Sequence, residues 1–174
     1  DDMFAEVDPE PLGSASIAQS HRARTHSGDE VLLKVVKPGI RELLYRDMEL
    51  LRLVGVALEL IVPRYQPRRI IDEFCDYTLD EADMVREAEN AQTFRANFAD
   101  MPAIVFPAVY HEFSGTDVLC MDFLEGVEPN SDAVAAMTLD ERRSLIDLGA
   151  TAIIRMLYED GFFHADLHPG NLLV

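Results

Sequence analysis

The run His164-Ala165-Asp166-Leu167-His168-Pro169-Gly170-Asn171 places two imidazoles, a carboxylate and a carboxamide side by side. Pro169-Gly170 breaks a helix, so the run reads as a loop that presents polar side chains. An aspartate followed five positions later by an asparagine can divide the work of phosphoryl transfer. Asp166 would accept the proton of the attacking hydroxyl, and Asn171 would hold a metal ion. Such a site also needs a cation to grip phosphates, a carboxylate to orient that cation, and a backbone turn that phosphates can approach.

Candidates for each lie upstream, in order. Leu12-Gly13-Ser14-Ala15-Ser16 is a run of small residues whose amides could approach a phosphate, although taken alone, with one glycine, it suits an ordinary hairpin turn better. Ile17 to Arg24 and Glu30 to Val36 read as strands around a turn at residues 26–29. The second strand carries one lysine, Lys34, among apolar neighbours. A buried lysine needs a partner; either Lys34 snorkels from an edge strand, or it pairs with phosphate. Lys37, at the strand end, reads as solvent-facing.

Arg41 to about Ile61 has apolar residues at 43, 44, 48, 51, 54, 58 and 61, the spacing of a packed helix face, and Pro63 ends it. A short helical piece, Ile70 to Tyr77, precedes a second long helix from Leu79 to Phe98. Thr78 with Glu81 predicts a capping box at its start. Met84, Ala88, Ala91, Phe94 and Phe98 form its buried stripe, and Glu87 adjoins that stripe, where it can serve Lys34 or remain solvated. Val109–Phe113 and Val118–Phe123 read as a hairpin. From its end, Met121-Asp122-Phe123 runs toward Gly126 as a connector between two lobes. Thr138 with Glu141 predicts another capping box, opening a helix to about Tyr158.

Composition bounds the alternatives. A 174-residue chain with 48% apolar residues is one domain or a piece of a larger one. A formal charge of −17 argues against a nucleic-acid interface, which needs a basic face. Cys75 and Cys120 stand in no metal-binding spacing and read as free core thiols of a reducing compartment. The opening Asp1-Asp2 shows no leader pattern, and the apolar run Leu53–Val62 is too short to span a bilayer. Lying against a membrane stays open.

The ordered set resembles the UbiB/ADCK family of atypical, protein-kinase-like kinases over essentially the whole length. Four stretches carry the resemblance: PLGSASIAQ (11–19), VLLKVVKPGI (31–40), EADMVREAENA (81–91) and GFFHADLHPGNLLV (161–174). It implies an α+β kinase-like fold. Residues 1–124 would form the N-terminal lobe, an antiparallel sheet plus helices with a helical insertion at 41–78. Residues 125–174 would form the hinge and the start of the helical C-terminal lobe.

It also implies ATP and Mg2+ as cofactors, with roles by position. Lys34 matches the nucleotide-phosphate lysine and Glu87 its helix partner. Leu12 to Ser16 matches an alanine-rich nucleotide loop, Met121, Asp122 and Phe123 fall at the nucleotide-binding connector, and Glu81 and Asp83 match a regulatory ExD pair. Asp166 matches the catalytic aspartate and Asn171 the metal ligand. His168 stands where protein kinases carry a lysine, as in small-molecule kinases, and can donate to a phosphoryl oxygen. His164 reads as a structural brace.

The expected activity is phosphoryl transfer to a small or lipid-like acceptor, or to water, in isoprenoid-quinone metabolism. The expected partners are a nucleotide and lipid or quinone-pathway components, in the cytoplasm or peripheral to the inner face of a membrane. Two other readings stay open: a nucleotide-sensing scaffold that organises a biosynthetic complex, and an aminoglycoside- or choline-type kinase, which shares the His-x-Asp-x-His-x-x-Asn pattern but not PLGSASIAQ or ExD. Two departures stand out. The family's KxGQ stretch is missing upstream, and the chain stops before any Asp-Phe-Gly. The expectation is therefore a fragment of a longer protein, binding nucleotide weakly and inactive alone.

Overall fold

The structure, a computed structural model, describes residues 3–165 and 167–174. The chain divides into two units, residues 1–90 with 109–122 and residues 91–108 with 123–174.

The first unit is built on a five-stranded antiparallel sheet. Its strands are β1 (Phe4–Val7), β2 (Gly13–Ser14), β3 (Ala18–Thr25), β4 (Glu30–Val36) and β5 (Val118–Asp122). They run in the order β1-β3-β4-β5, and β2 pairs with β3. β4 is thus an inner strand, paired on both sides, with Lys34 opposite Ser20 on β3 and Leu119 on β5. Strand side chains alternate between faces. Val31, Leu33 and Val35 join Ala23 and Cys120 in a core on one face, whereas Val36 joins Ala18, Leu119, Met84 and Ala88 on the other. Lys34 shares the second face.

Three helices accompany the sheet: α1 (Ile40–Ile61), α2 (Pro67–Asp80) and α3 (Met84–Asn97). α1 and α2 form an antiparallel hairpin that narrows at Gly55, where an added Cβ would sit 3.2 Å from Ile71 Cδ1 and 3.4 Å from the Arg68 Cα. Two expectations fail here. The capping box at Thr78 does not form. Thr78 lies inside α2, where its hydroxyl donates to the Phe74 carbonyl at 2.8 Å. α3 starts instead at Met84, and Asp83 Oδ1 accepts from the Val85 N–H at 3.0 Å, the bond of an N-cap. The periodic stripe of α1 is also only partly covered: Met48 is buried and Leu44 and Leu51 are half-buried, while Leu43, Val54, Leu58 and Ile61 are exposed. One neighbouring helix covers one narrow stripe, and the rest of the apolar face stays exposed among the described residues. Of the stripe expected here, Met84, Ala88 and Phe94 of α3 are buried, Ala91 is half-buried, and Phe98, just past the helix end, is buried.

The second unit holds α4 (Asp132–Ala135) and α5 (Leu139–Arg155). Thr138 and Glu141 form the predicted capping box, which holds the Glu141 carboxyl below the usual range by hydrogen bonds from Thr138. Phe94, Phe98, Ala152 and Met156 make its core with Phe106 and Phe162.

Cys75 and Cys120 are buried and form no disulfide. Burial pushes the Cys120 thiol up to about 11 from 9.0. The expected result is no reaction of either thiol with Ellman's reagent near pH 8 until denaturant unfolds the chain. Because the unfolded thiol ionises first, this group's contribution to stability falls as pH rises from about 9 to about 11. Denaturation midpoints measured across that window check the sign.

Candidate functional site

Lys34 is held between two neighbouring strands, β3 and β5. Its Nζ donates to Glu87 Oε1 and Oε2, both at 2.7 Å. The side chains keep 29% and 38% exposure, so the pair is shielded but not sealed. The local reason is plain. Met84 and Ala88 pack on the face of β4 that Lys34 shares, and Glu87 lies on the same side of α3, one residue before Ala88. Both lysine hydrogen bonds are charge-assisted. A lysine held this way keeps its ammonium on one spot while part of it stays open to a phosphate, which suits the chemistry of a nucleotide phosphate group.

The small-residue run folds as a hairpin. Gly13 and Ser14 pair with Ser20 and Gln19, and the Ala15 N–H donates to the Ala18 carbonyl at 2.9 Å. Leu12 donates its N–H to Ser20, and Ser16 is exposed in the turn. Lys37 is not simply solvent-facing: its ammonium donates to the Ala15 carbonyl and its backbone N–H to Ile17. It clasps the hairpin to the end of β4.

Glu81 and Asp83 flank the step from α2 to α3. Asp83 caps α3, and Glu81 makes no side-chain hydrogen bond or ion pair among the described residues. Sequence reading missed the residue that anchors this step. Arg41 donates to the carbonyls of Ala82 and Thr116 and pairs with Asp117 at 2.7 Å. Two of those partners are backbone carbonyls, which leave no mark on the sequence. At the end of β5, Met121 packs against the core shared with α3, and Asp122 Oδ1 accepts from the Tyr110 hydroxyl at 3.2 Å. Burial and the Asp122 carboxylate push the Tyr110 pKa up, keeping it a donor. The expected strand Val109–Phe113 is a single bridge from Val109 to Met121 followed by a 3-10 turn at His111–Phe113. Phe123 belongs to the second unit.

In that unit, α5 ends in a π-helical turn, Met156–Asp160, and Gly161 reverses the chain at φ 60°, where a side chain would be strained. The loop follows. The His164 ring lies 6.0 Å from Phe94, bracing by packing. Asp166, the expected catalytic aspartate, lies outside the described residues. His168 Nδ1 accepts from the Gly170 N–H at 3.1 Å and opens a 3-10 turn over Pro169–Asn171. Asn171, exposed, offers a carboxamide oxygen of the kind magnesium accepts. Among the described residues no group of three or more His, Cys, Asp or Glu is placed to hold a metal. Beyond the turn, Val174 exchanges backbone hydrogen bonds with Val127. A Cβ on Gly126 would come within 2.8 Å of Leu173 Cβ, so this glycine admits that close approach.

Comparison with known proteins bears on this arrangement. A family model described as the ABC1 atypical kinase-like domain matches residues 1–174. A probable protein kinase UbiB of Pseudomonas putida is 36% identical over 99% of this chain and 33% of its own length. An uncharacterized protein of Synechocystis sp. is 37% identical, over 99% of this chain and 30% of its own length. The solved Rv3197–erythromycin complex from Mycobacterium tuberculosis superposes with a TM-score of 0.84 at 31% identity, covering 99% of this chain and 44% of that one. The chain thus spans about a third of the length of the curated relatives it matches.

Proposed function

The chain belongs to the ABC1 atypical kinase-like family and has its kinase-like α+β fold, and from that premise we propose that it is the ATP-binding part of a phosphoryl-transfer enzyme. The observation that carries the reading is the Lys34–Glu87 pair, 2.7 Å to each oxygen, on an inner strand and an adjoining helix. In this proposal Lys34 grips nucleotide phosphates and Glu87 orients Lys34. The hairpin at Leu12–Ser16 lies along the phosphates, and Met121, Asp122 and Phe123 meet the base. Asn171 holds magnesium, which when bound neutralises charge developing on the transferred group. Asp166 positions the nucleophile, and His168, free of a fixed charge, donates to a phosphoryl oxygen. Glu81 and Asp83 serve regulation, Asp83 by fixing where α3 begins. The acceptor is small, lipid-like or water, and the pathway is that of isoprenoid quinones, as the resemblance to UbiB suggests. The domain boundary of this reading falls at residue 124.

Magnesium-ATP titration of the chain and ATP turnover by the longer protein test the proposal. Lys34→Ala should weaken nucleotide binding about tenfold or more, whereas Asp166→Asn should keep binding and lose turnover about a thousandfold. Unchanged turnover in Asp166→Asn, with binding retained, would favour a nucleotide-sensing scaffold instead.

A further inference from the structure

The last turn of α5 is wound more widely than the rest. Over Met156–Asp160 the helix is a π-helix, and the Gly161 N–H closes it on the Met156 carbonyl, five residues back. The Phe162 N–H reaches the same carbonyl at 3.1 Å. Turns of this kind are rare and collect at functional sites. An unusual winding persists only where its surroundings hold it.

Two side chains are placed to do so. Arg155 and Asp160 stand five apart, one turn of the wide winding, with Arg155 Nε 3.9 Å from Asp160 Oδ1. In an α-helix a residue five positions on is swung about 140° around the axis, so the two would not face each other. Arg155 is itself fixed. Its Nη1 pairs with Asp100 at 2.7 Å, and its guanidinium lies over the Phe98 ring, 5.2 Å from the centroid. The other carboxylates beside it, on Asp100 and Glu159, are 70 and 69% exposed and can turn to water. Asp160 is only 14% exposed. Its Oδ2 is buried, and neither that atom nor Arg155 Nε makes a hydrogen bond among the described residues. A carboxylate in this state depends on the guanidinium charge beside it. Fold stability alone does not call for a buried pair so incompletely bonded.

We propose that Arg155 and Asp160 are positioning residues for phosphoryl transfer: their ion pair keeps the turn in its π winding, and that winding sets where the loop from His164 to Asn171 begins. This role rests on that loop's part in phosphoryl transfer. The link between turn and loop is short. Gly161, at φ 60°, reverses the chain straight after the turn, and Phe162 follows into the aromatic core. Rewinding the turn as α-helix would take up one residue, moving the chain beyond it by roughly 100° and 1.5 Å. A misplacement of about 1 Å can cost about a hundredfold in rate. Lys34 and the hairpin at Leu12–Ser16 belong to the first unit, so the loss falls on kcat and not on nucleotide affinity.

Two measurements test this. In the longer protein, Asp160→Asn keeps the shape and removes the charge. It should lower kcat about a hundredfold and leave KM for ATP within about twofold. Arg155→Lys, which keeps the charge, should retain about tenfold more turnover than Arg155→Met. Asp100→Asn, at an exposed pair, should cost less than about threefold. In the 174-residue chain, hydrogen exchange at Gly161 and Phe162 should quicken about tenfold in Asp160→Asn, while the melting midpoint and the amides of β3 and β4 stay put. Unchanged exchange there overturns the hold on the winding, and faster exchange with unchanged kcat overturns the positioning role. Equal losses in kcat and ATP affinity would overturn it too, leaving the pair purely structural. If Asp160→Asn fails to fold, Arg155→Lys against Arg155→Met decides, and equal turnover in the two overturns the proposal. Absence of ATP turnover in the wild-type longer protein would sink the phosphoryl-transfer reading and the positioning role with it. Exchange in the chain would then report the winding alone.

Discussion

Glu87→Gln is expected to cut ATP turnover by the longer protein about a hundredfold while weakening nucleotide binding only a few-fold. The asymmetry follows from geometry. Lys34 donates to both oxygens of Glu87, and its backbone is fixed by pairing to β3 and β5. Glutamine keeps the size of the side chain but replaces one acceptor with an amide donor and removes the charge. Lys34 would still attract phosphate but would no longer be aimed. A group that acts through another should therefore appear in kcat more than in KM. Glu87→Asp, one methylene short, should retain more activity than Glu87→Gln, a rescue that mere loss of packing would not give. The thermodynamic counterpart is a double-mutant cycle of Lys34→Ala with Glu87→Gln, read by chemical denaturation. The pair is about one-third exposed, so the coupling should be on the order of 1 kcal/mol, well under that of a sealed ion pair. Strict additivity of the two substitutions would mean that the bond does nothing for the fold, and equal losses in kcat and affinity would remove the positioning role.

This pairing also shows what the sequence could and could not convey. A lone lysine in an apolar strand and a glutamate beside an apolar helical stripe are local signals, and each follows from periodicity. That β4 is an inner strand is a fact of topology, which no window of neighbouring residues contains. The same division holds elsewhere. The Thr138–Glu141 box was legible because both partners lie within one turn. The similar pattern at Thr78 and Glu81 misled, because α2 continues through Thr78 and satisfies its hydroxyl on the Phe74 carbonyl. Thr-x-x-Glu is compatible with both outcomes, and the preceding helix decides. Lys37 looked idle because its partner, the Ala15 carbonyl, is a backbone atom in the turn between β2 and β3. The anchoring role of Arg41 was hidden for the same reason. The apolar face of α1 reads as core by its period alone. Periodicity reports that a face is apolar and leaves open what will cover it.

Phe94→Ala should be the most damaging single change in the second unit. Phe94 is 5% exposed and stacks on Phe106 with ring centroids 5.2 Å apart. It also meets Phe162 at 4.6 Å and His164 at 6.0 Å. Phe98 contacts the other side of the cluster through Phe106 at 5.3 Å. Truncating a buried phenylalanine costs about 3 to 5 kcal/mol, the upper end applying where neighbours cannot collapse into the space. Here Phe162 is tied by its N–H to the Met156 carbonyl, and Phe98 is pinned under the Arg155 guanidinium at 5.2 Å. Neither can move in freely, so the upper half of the range is expected. A loss of that size is a large share of the stability of an ordinary domain. Phe94→Leu keeps most of the volume and should cost less than half as much, which separates the cavity from a general intolerance at the site. Urea denaturation of the two variants measures both numbers. Hydrogen exchange then tests the local consequence, since Phe162 and His164 stand just before the loop that carries Asp166. Amides from 162 to 171 should lose protection in Phe94→Ala before those of β3 and β4 do. Simultaneous loss in both places would mean that the aromatic cluster supports the whole chain rather than the loop.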